Sequence, residues 1–149
     1  MFNPTKILVP TDFSGTAEKA FQDAVDIARR YNAVLYLIHV NEIMQLYGVG
    51  YYYMDAALFE QIEKETITAS KKMLQKIINK VPEAKGLKIH IDIKKGNPYE
   101  EILKEQEANK IDLIVIASHR GKGFLGHFMG SVAEKVTRSA KCPVLVVKS

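Results

Sequence analysis

The chain has 149 residues, a formal net charge of +4, and 47% hydrophobic against 26% charged residues. That length suits a single domain, residues 1–149, with one sizeable core, and the balance is that of a globular chain. The positive charge is small and spread along the sequence, which argues against nucleic-acid binding, and no apolar run approaches the ~20 residues of a membrane helix.

The elements follow in chain order. Lys6–Pro10 (KILVP) is a run of branched apolar residues with little alternation, as expected of a strand covered on both faces. Ser14 is placed to cap a helix whose buried stripe is Ala17, Ala20, Phe21, Ala24, Ala28 and Tyr31. Ala33–Val40 reads as a second covered strand. Asn41 to about Asp55 is irregular and holds Tyr47, Tyr51, Tyr52 and Tyr53. These tyrosines suit either stacking on a flat ligand or packing on a helix or a partner chain. Leu58, Ile62, Thr66, Ala69, Met73, Ile77 and Val81 form the stripe of a long helix. Leu87–Lys94 alternates strictly, with Leu87, Ile89, Ile91 and Ile93 on one face, which predicts a strand with one wet face near a sheet edge.

Asn97-Pro98-Tyr99-Glu100 has the cap, proline and glutamate of a helix start, after which Ile102 and Leu103 face inward. Asp112–Ala117 is another covered strand. The loop after it, Ser118 to Gly126, is rich in glycine and basic residues, and Ser131-Val132-Ala133-Glu134 is a capping box for a last helix. Pro143–Val147 ends the chain as a strand with proline at its start, where an edge permits it. Strands alternating with helices imply an α/β fold with a parallel sheet and right-handed crossovers. One cysteine, Cys142, and an N-terminus without a basic start and apolar run fit a cytoplasmic protein.

Ligands of open α/β sheets sit beyond the carboxyl ends of the strands. The segments of interest are therefore Pro10-Thr11-Asp12, Val40-Asn41-Glu42 and the 118–131 loop. Backbone N–H groups and the helix dipole at Gly130 and Ser131 favour an anion, although glycines that merely permit turns would look the same. Gly121-Lys122-Gly123-Phe124-Leu125-Gly126 matches the dinucleotide-binding glycine pattern, but no helix follows at once and no acidic residue ends the next strand. The Walker A pattern fails, since Gly123 follows Lys122, and no nucleophile-elbow serine exists.

At this point the chain resembles the universal stress protein family over essentially its whole length. Two signatures carry the resemblance. One is Lys6-Ile7-Leu8-Val9-Pro10-Thr11-Asp12-Phe13-Ser14 before an alanine-rich helix. The other is Gly130-Ser131-Val132-Ala133-Glu134-Lys135-Val136 through Cys142-Pro143-Val144-Leu145-Val146-Val147. The resemblance implies an open parallel five-stranded sheet of order 3-2-1-4-5, with helices on both faces, of the adenine nucleotide alpha hydrolase-like type. Members that bind ATP carry G-x-x-G, nine residues, then G-[ST]. The matching positions are Ala117, Arg120, Gly130 and Ser131, so the second pair fits and the first does not. A Cβ at Arg120 carries a cost if that position needs positive φ, although Gly121 stands next to it. Arg120 then either contacts phosphate or fills the phosphate space.

By the same resemblance, Pro10, Thr11 and Asp12 meet the adenine or ribose edge, and Val40 offers main-chain contacts to adenine. Ile116, Ala117, Ser118 and His119 line base and ribose, and Gly130, Ser131 and Val132 take phosphates. The expected ligand is ATP, or AMP or ADP, with Mg²⁺ only as counter-ion and no protein-held metal. A homodimer pairing the edge strand through Val144, Leu145, Val146 and Val147 would cover an otherwise exposed apolar edge. The expected role is a nucleotide-binding sensor in the stress response, with slow ATP hydrolysis at most. The alternative is a nucleotide-free dimeric interaction module in which Arg120 blocks the site.

The residues themselves temper this. Asp12 suits bracing its own turn as well as a ligand. No carboxylate stands near His119 in sequence, which argues against a catalytic base. His39, His90 and His127 lack metal-ligand spacing. Cys142 reads as a small buried residue, and Lys71, Lys72, Lys76 and Lys80 as a solvated helix face.

Overall fold

The computed structural model describes residues 1–42, 55–119 and 129–149. The tyrosines at 47 and 51–53, together with Arg120, Gly121 and His127, lie outside the described residues. The described residues form five strands: β1 Lys6–Pro10, β2 Val34–Asn41, β3 Ile89–Lys95, β4 Leu113–Ser118 and β5 Val144–Lys148. They make one parallel sheet of order β3-β2-β1-β4-β5. Among the described residues, four α-helices accompany them: α1 Gly15–Tyr31, α2 Ala56–Asn79, α3 Pro98–Asn109 and α4 Ser131–Ser139, with a short 3₁₀ turn at Pro82–Ala84. Fold class, strand order and the place of every strand agree with the sequence reading to within two residues.

The helices divide between the two faces of the sheet. On one face Ile7, Val9, Leu35, Leu37, Leu113 and Val115 pack against Ala20, Phe21, Ala24 and Val25 of α1 and Leu74 and Ile77 of α2. On the other, Leu8, Ile38, Ile114 and Ile116 pack against Ile102 of α3 and Ala133 and Val136 of α4. Successive strand residues thus enter opposite cores, which is why β1 and β4 are apolar without alternation.

Several local expectations are corrected. Tyr31 is 40% exposed and stands edge-on to Phe2, with ring centroids 5.8 Å apart. Val25 takes the buried place instead. On α2 the buried residues are Ser70, Leu74 and Ile77, while Leu58 and Met73 are 46% and 45% exposed. Ile91 is exposed, because β3 is an edge strand and its partners Ile89 and Ile93 take the covered places. Asn97 precedes α3 without a side-chain hydrogen bond, leaving Pro98 as the start signal that acts. The capping box at Ser131 does not form. Gly130 is the cap residue, its carbonyl accepts the first helical hydrogen bond from Glu134 N at 2.9 Å, and Ser131 is already helical. No helix among the described residues is long and apolar enough to cross a membrane.

Candidate functional site

The order of strands reverses direction at the β1–β4 pair, so the helices that follow these two strands lie on opposite faces and a crevice opens between their starts. The crevice holds about 440 Å³ and is lined from the carboxyl ends of β1, β2 and β4 and from α1, α3 and α4. Pro10, Thr11 and Asp12 come from the end of β1, His39, Val40 and Glu42 from β2, and Ile116, Ala117 and His119 from β4. Gly130, Ser131, Val132 and Ala133 open α4 along one wall, and Pro98 and Ile102 of α3 close another.

The β1 loop is a built turn. Thr11 Oγ1 accepts a hydrogen bond from Phe13 N at 3.1 Å, and Asp12 Oδ1 accepts one from Ser14 N at 3.0 Å. Ser14 Oγ in turn accepts from Ala17 N at 3.2 Å and caps α1. Phe13 sits at φ 66°, a left-handed conformation that costs a bulky residue free energy. Its ring lies 4.2 Å from that of His39, which helps to hold it there. His39 also ties the loop down directly, donating from Nδ1 to the Thr11 carbonyl at 2.7 Å. Because a carbonyl only accepts, that bond fixes the proton on Nδ1.

Across the crevice, His119 Nε2 lies 2.7 Å from Asp12 Oδ2 and 3.2 Å from Ser14 Oγ. His119 therefore has a partner carboxylate, 107 positions away in the chain, where the sequence offered none nearby. The histidine donates from Nε2 to the carboxylate. A nucleophile relay would need Asp12 and Ser14 on different ring nitrogens, and both meet the same one, so Ser14 is not activated. What the pair offers is a positioned carboxylate and imidazole for ligand hydroxyls. Burial works to raise the Asp12 pKa, but hydrogen bonds from Ser14 and the nearby His119 outweigh it and hold the carboxyl below its ordinary range.

The α4 wall supplies the complementary charge. Among the described residues no side chain caps this helix, and the N–H groups of its first turn have no partner within it. They carry the positive end of the helix dipole to the crevice wall. Gly130 N donates to Ser118 Oγ at 2.9 Å, which ties the start of α4 to the end of β4. A Cβ on Gly130 would meet His119 N and O at 3.4 Å, so the backbone here runs close to the crevice floor.

Of the residues expected at the site, Pro10, Thr11, Asp12, Val40, Ile116, Ala117, His119, Gly130, Ser131 and Val132 line one crevice. Ser118 is buried behind it and braces Gly130. Glu42, within the segment of interest after the second strand, lines it too, whereas sequence reasoning missed Ala17, His39, Pro98, Ile102 and Ala133. His39 had a readable signal, since it stands near the carboxyl end of a strand; the others required the packing of the helices. Among the described residues no group of three or more His, Cys, Asp or Glu side chains could hold a metal ion.

The universal stress protein family model matches residues 4–148. The chain belongs to the universal stress protein family. Universal stress protein MJ0531 of Methanocaldococcus jannaschii is 36% identical over 143 residues, covering 96% of this chain and 81% of its own. The solved structure of MJ0577, from the same organism, superposes with a TM-score of 0.81 at 29% identity, covering 99% of this chain and 98% of its own. A universal stress protein solved in complex with cAMP shares the fold at a TM-score of 0.70 and 19% identity, covering 99% of this chain and 98% of its own.

Proposed function

We propose that this universal stress protein is an adenine-nucleotide-binding regulator of the stress response, with ATP as its ligand. On this reading it is a single cytoplasmic domain that works as a homodimer. The observation that carries the reading is the crevice itself: apolar walls, a carboxylate–imidazole pair in the middle, and an uncapped helix N-terminus at one side. A purine fits between Pro10, Val40, Ile116 and Ile102. The ribose hydroxyls meet Asp12 and His119, and the phosphates meet the N–H groups of Ser131 and Val132. Magnesium enters as the counter-ion of the phosphates. Proteins of this fold solved with cAMP, and with dAMP in Archaeoglobus fulgidus, support a nucleotide as the class of ligand. The Asp12–His119 contact supports binding in preference to turnover, because it positions polar groups without activating a nucleophile.

Titration calorimetry with ATP and magnesium, after checking an acid extract for co-purified nucleotide, tests the reading. Micromolar binding is expected, and Asp12→Ala should weaken it about tenfold, by losing a charged hydrogen-bond acceptor. No nucleotide in the extract and no heat up to millimolar ATP would overturn it and leave a protein that acts through partners.

A further inference from the structure

Helix α2 carries more apolar surface than the sheet uses. Its buried residues are Ser70, Leu74 and Ile77. Leu58, Ile62, Thr66, Ala69 and Met73 form a second stripe, about 100° around the helix. Leu58, Ala69 and Met73 are exposed, and Ile62 and Thr66 are half-buried. Among the described residues none of the five joins either core. The stripe runs along roughly 22 Å of helix surface.

The charges of α2 are divided by halves. Its first half holds Glu60, Glu63 and Glu65 against Lys64, whereas the turns from 71 to 80 hold Lys71, Lys72, Lys76 and Lys80 and no acidic residue. Glu60 meets Lys64 at 3.0 Å, Glu63 meets Lys95 at 2.8 Å and Lys80 meets Glu18 at 2.8 Å. Glu65 accepts from the Gln61 amide at 3.2 Å. Lys71, Lys72 and Lys76 form no ion pair with any described residue. Glu65 and Lys72 are exposed and lie along the edge of the stripe that is turned away from the sheet. A helix with an acidic first half, a basic second half and an apolar stripe between is complementary to its own copy running the other way.

We propose that α2 packs antiparallel against the α2 of a second copy of this chain, through the stripe of Leu58, Ile62, Ala69 and Met73. A twofold axis near Thr68 sets Ile62 across from Met73 of the second copy and Glu65 across from Lys72 of the second copy. Thr66 and Ala69 then lie at the crossing, where small side chains let the helices approach. The division of charge selects this occupant. A parallel pair would set like charges together, and an anionic lipid surface would be repelled by the acidic first half. Helix α2 covers β2 and β3, at the opposite edge of the sheet from β5, so this contact is separate from any pairing through β5. A single stripe buries less than the ~800 Å² per copy of a standard interface, so the contact is weak alone and forms at about 0.1–1 mM.

Sedimentation velocity of the whole chain from about 10 μM to 1 mM tests this, on the wild type and on Leu145→Arg, which separates assembly through β5 from assembly through α2. In both backgrounds Met73→Lys should remove one step of association and leave the melting temperature of dilute protein unchanged. Glu65→Lys or Lys72→Glu alone should weaken association about tenfold, because each sets like charges together at both symmetric contacts, and the double variant should restore it. Association that Met73→Lys leaves unchanged, or a wild type that shows none at about 1 mM, overturns the proposal. So does a lowered melting temperature of dilute Met73→Lys, which would mean that the stripe is covered within its own chain. A double variant as weak as the single ones overturns the antiparallel arrangement.

Discussion

Phe13 shows how a single side chain couples strain to function. Its left-handed backbone lies inside the turn in which Asp12 accepts from Ser14 N and meets His119, and its ring contact with His39 offsets the cost. Phe13→Gly and Phe13→Ala both lose the ring, but only alanine keeps a Cβ at φ 66°. Glycine should therefore be the more stable replacement by about 1 kcal/mol, the reverse of the usual order, as read by urea unfolding. Equal stabilities would mean that the turn relaxes when the ring is removed. Asp112 is a second residue whose contacts set a measurable property. It accepts hydrogen bonds from Thr5 N at 3.0 Å, Thr5 Oγ1 at 2.7 Å and Lys6 N at 2.9 Å, and so ties the start of β1 to the start of β4. Burial works to raise its pKa, but these bonds outweigh it and leave the carboxyl below its ordinary range, as at Asp12. A folded pKa below the unfolded value of about 3.9 gives stability that is complete above that pH and is lost as pH falls through the folded pKa. Asp112→Asn should cost about 1–2 kcal/mol at pH 7 and flatten the decline in stability below about pH 4. A variant with an unchanged acid limb would place the titration elsewhere.

At the scale of elements, the strands were legible and one helix face was not. The runs KILVP, AVLYLIHV, DLIVIA and PVLVV are branched and uninterrupted because each strand feeds two cores, and that pattern survives without knowing the partners. On α2 two stripes compete. Leu58, Ile62, Thr66, Ala69 and Met73 follow helical spacing, yet the sheet meets Ser70, Leu74 and Ile77. The stripes converge at Ile77 and part toward the N-terminus by about one residue, or 100° of rotation. Helical spacing identifies a helix, but only the edge strand it covers decides which of two apolar stripes is used. Leu74→Ala should cost about 2–5 kcal/mol, and Met73→Lys should stay within about 0.5 kcal/mol, by thermal or urea unfolding. The reverse order would restore the stripe read from sequence. The α4 start was misread by one position for a related reason. Ser131 has the chemistry of a cap, but the bond from Gly130 N to Ser118 Oγ and the helical bond into the Gly130 carbonyl make Gly130 the boundary. At the site, residues just after strands were found from the rule for open sheets, whereas the pairing of His119 with Asp12 needed the adjacency of β1 and β4.

At the scale of the whole molecule, β5 is an edge strand whose partners on one side are supplied by β4 alone. Val147 is buried and Val144 and Val146 pack on the core, so Leu145, 40% exposed, is the residue best placed to meet a second copy through this edge. If the homodimer forms there, Leu145→Arg should shift the protein to monomer in sedimentation velocity with its melting temperature little changed. A dimer that survives the substitution uses another surface.

The hydrogen bond from Gly130 N to Ser118 Oγ spans twelve positions in the chain and pins both ends of the segment between them. With the end of β4 and the start of α4 tied to each other, a change in the number of residues between them leaves the strands and helices in register. Doubling such a span adds only about 0.6 kcal/mol of closure entropy. A change of chain length beside the α4 N-terminus is thus cheap in closure entropy, so ligand preferences can shift there on an unaltered scaffold.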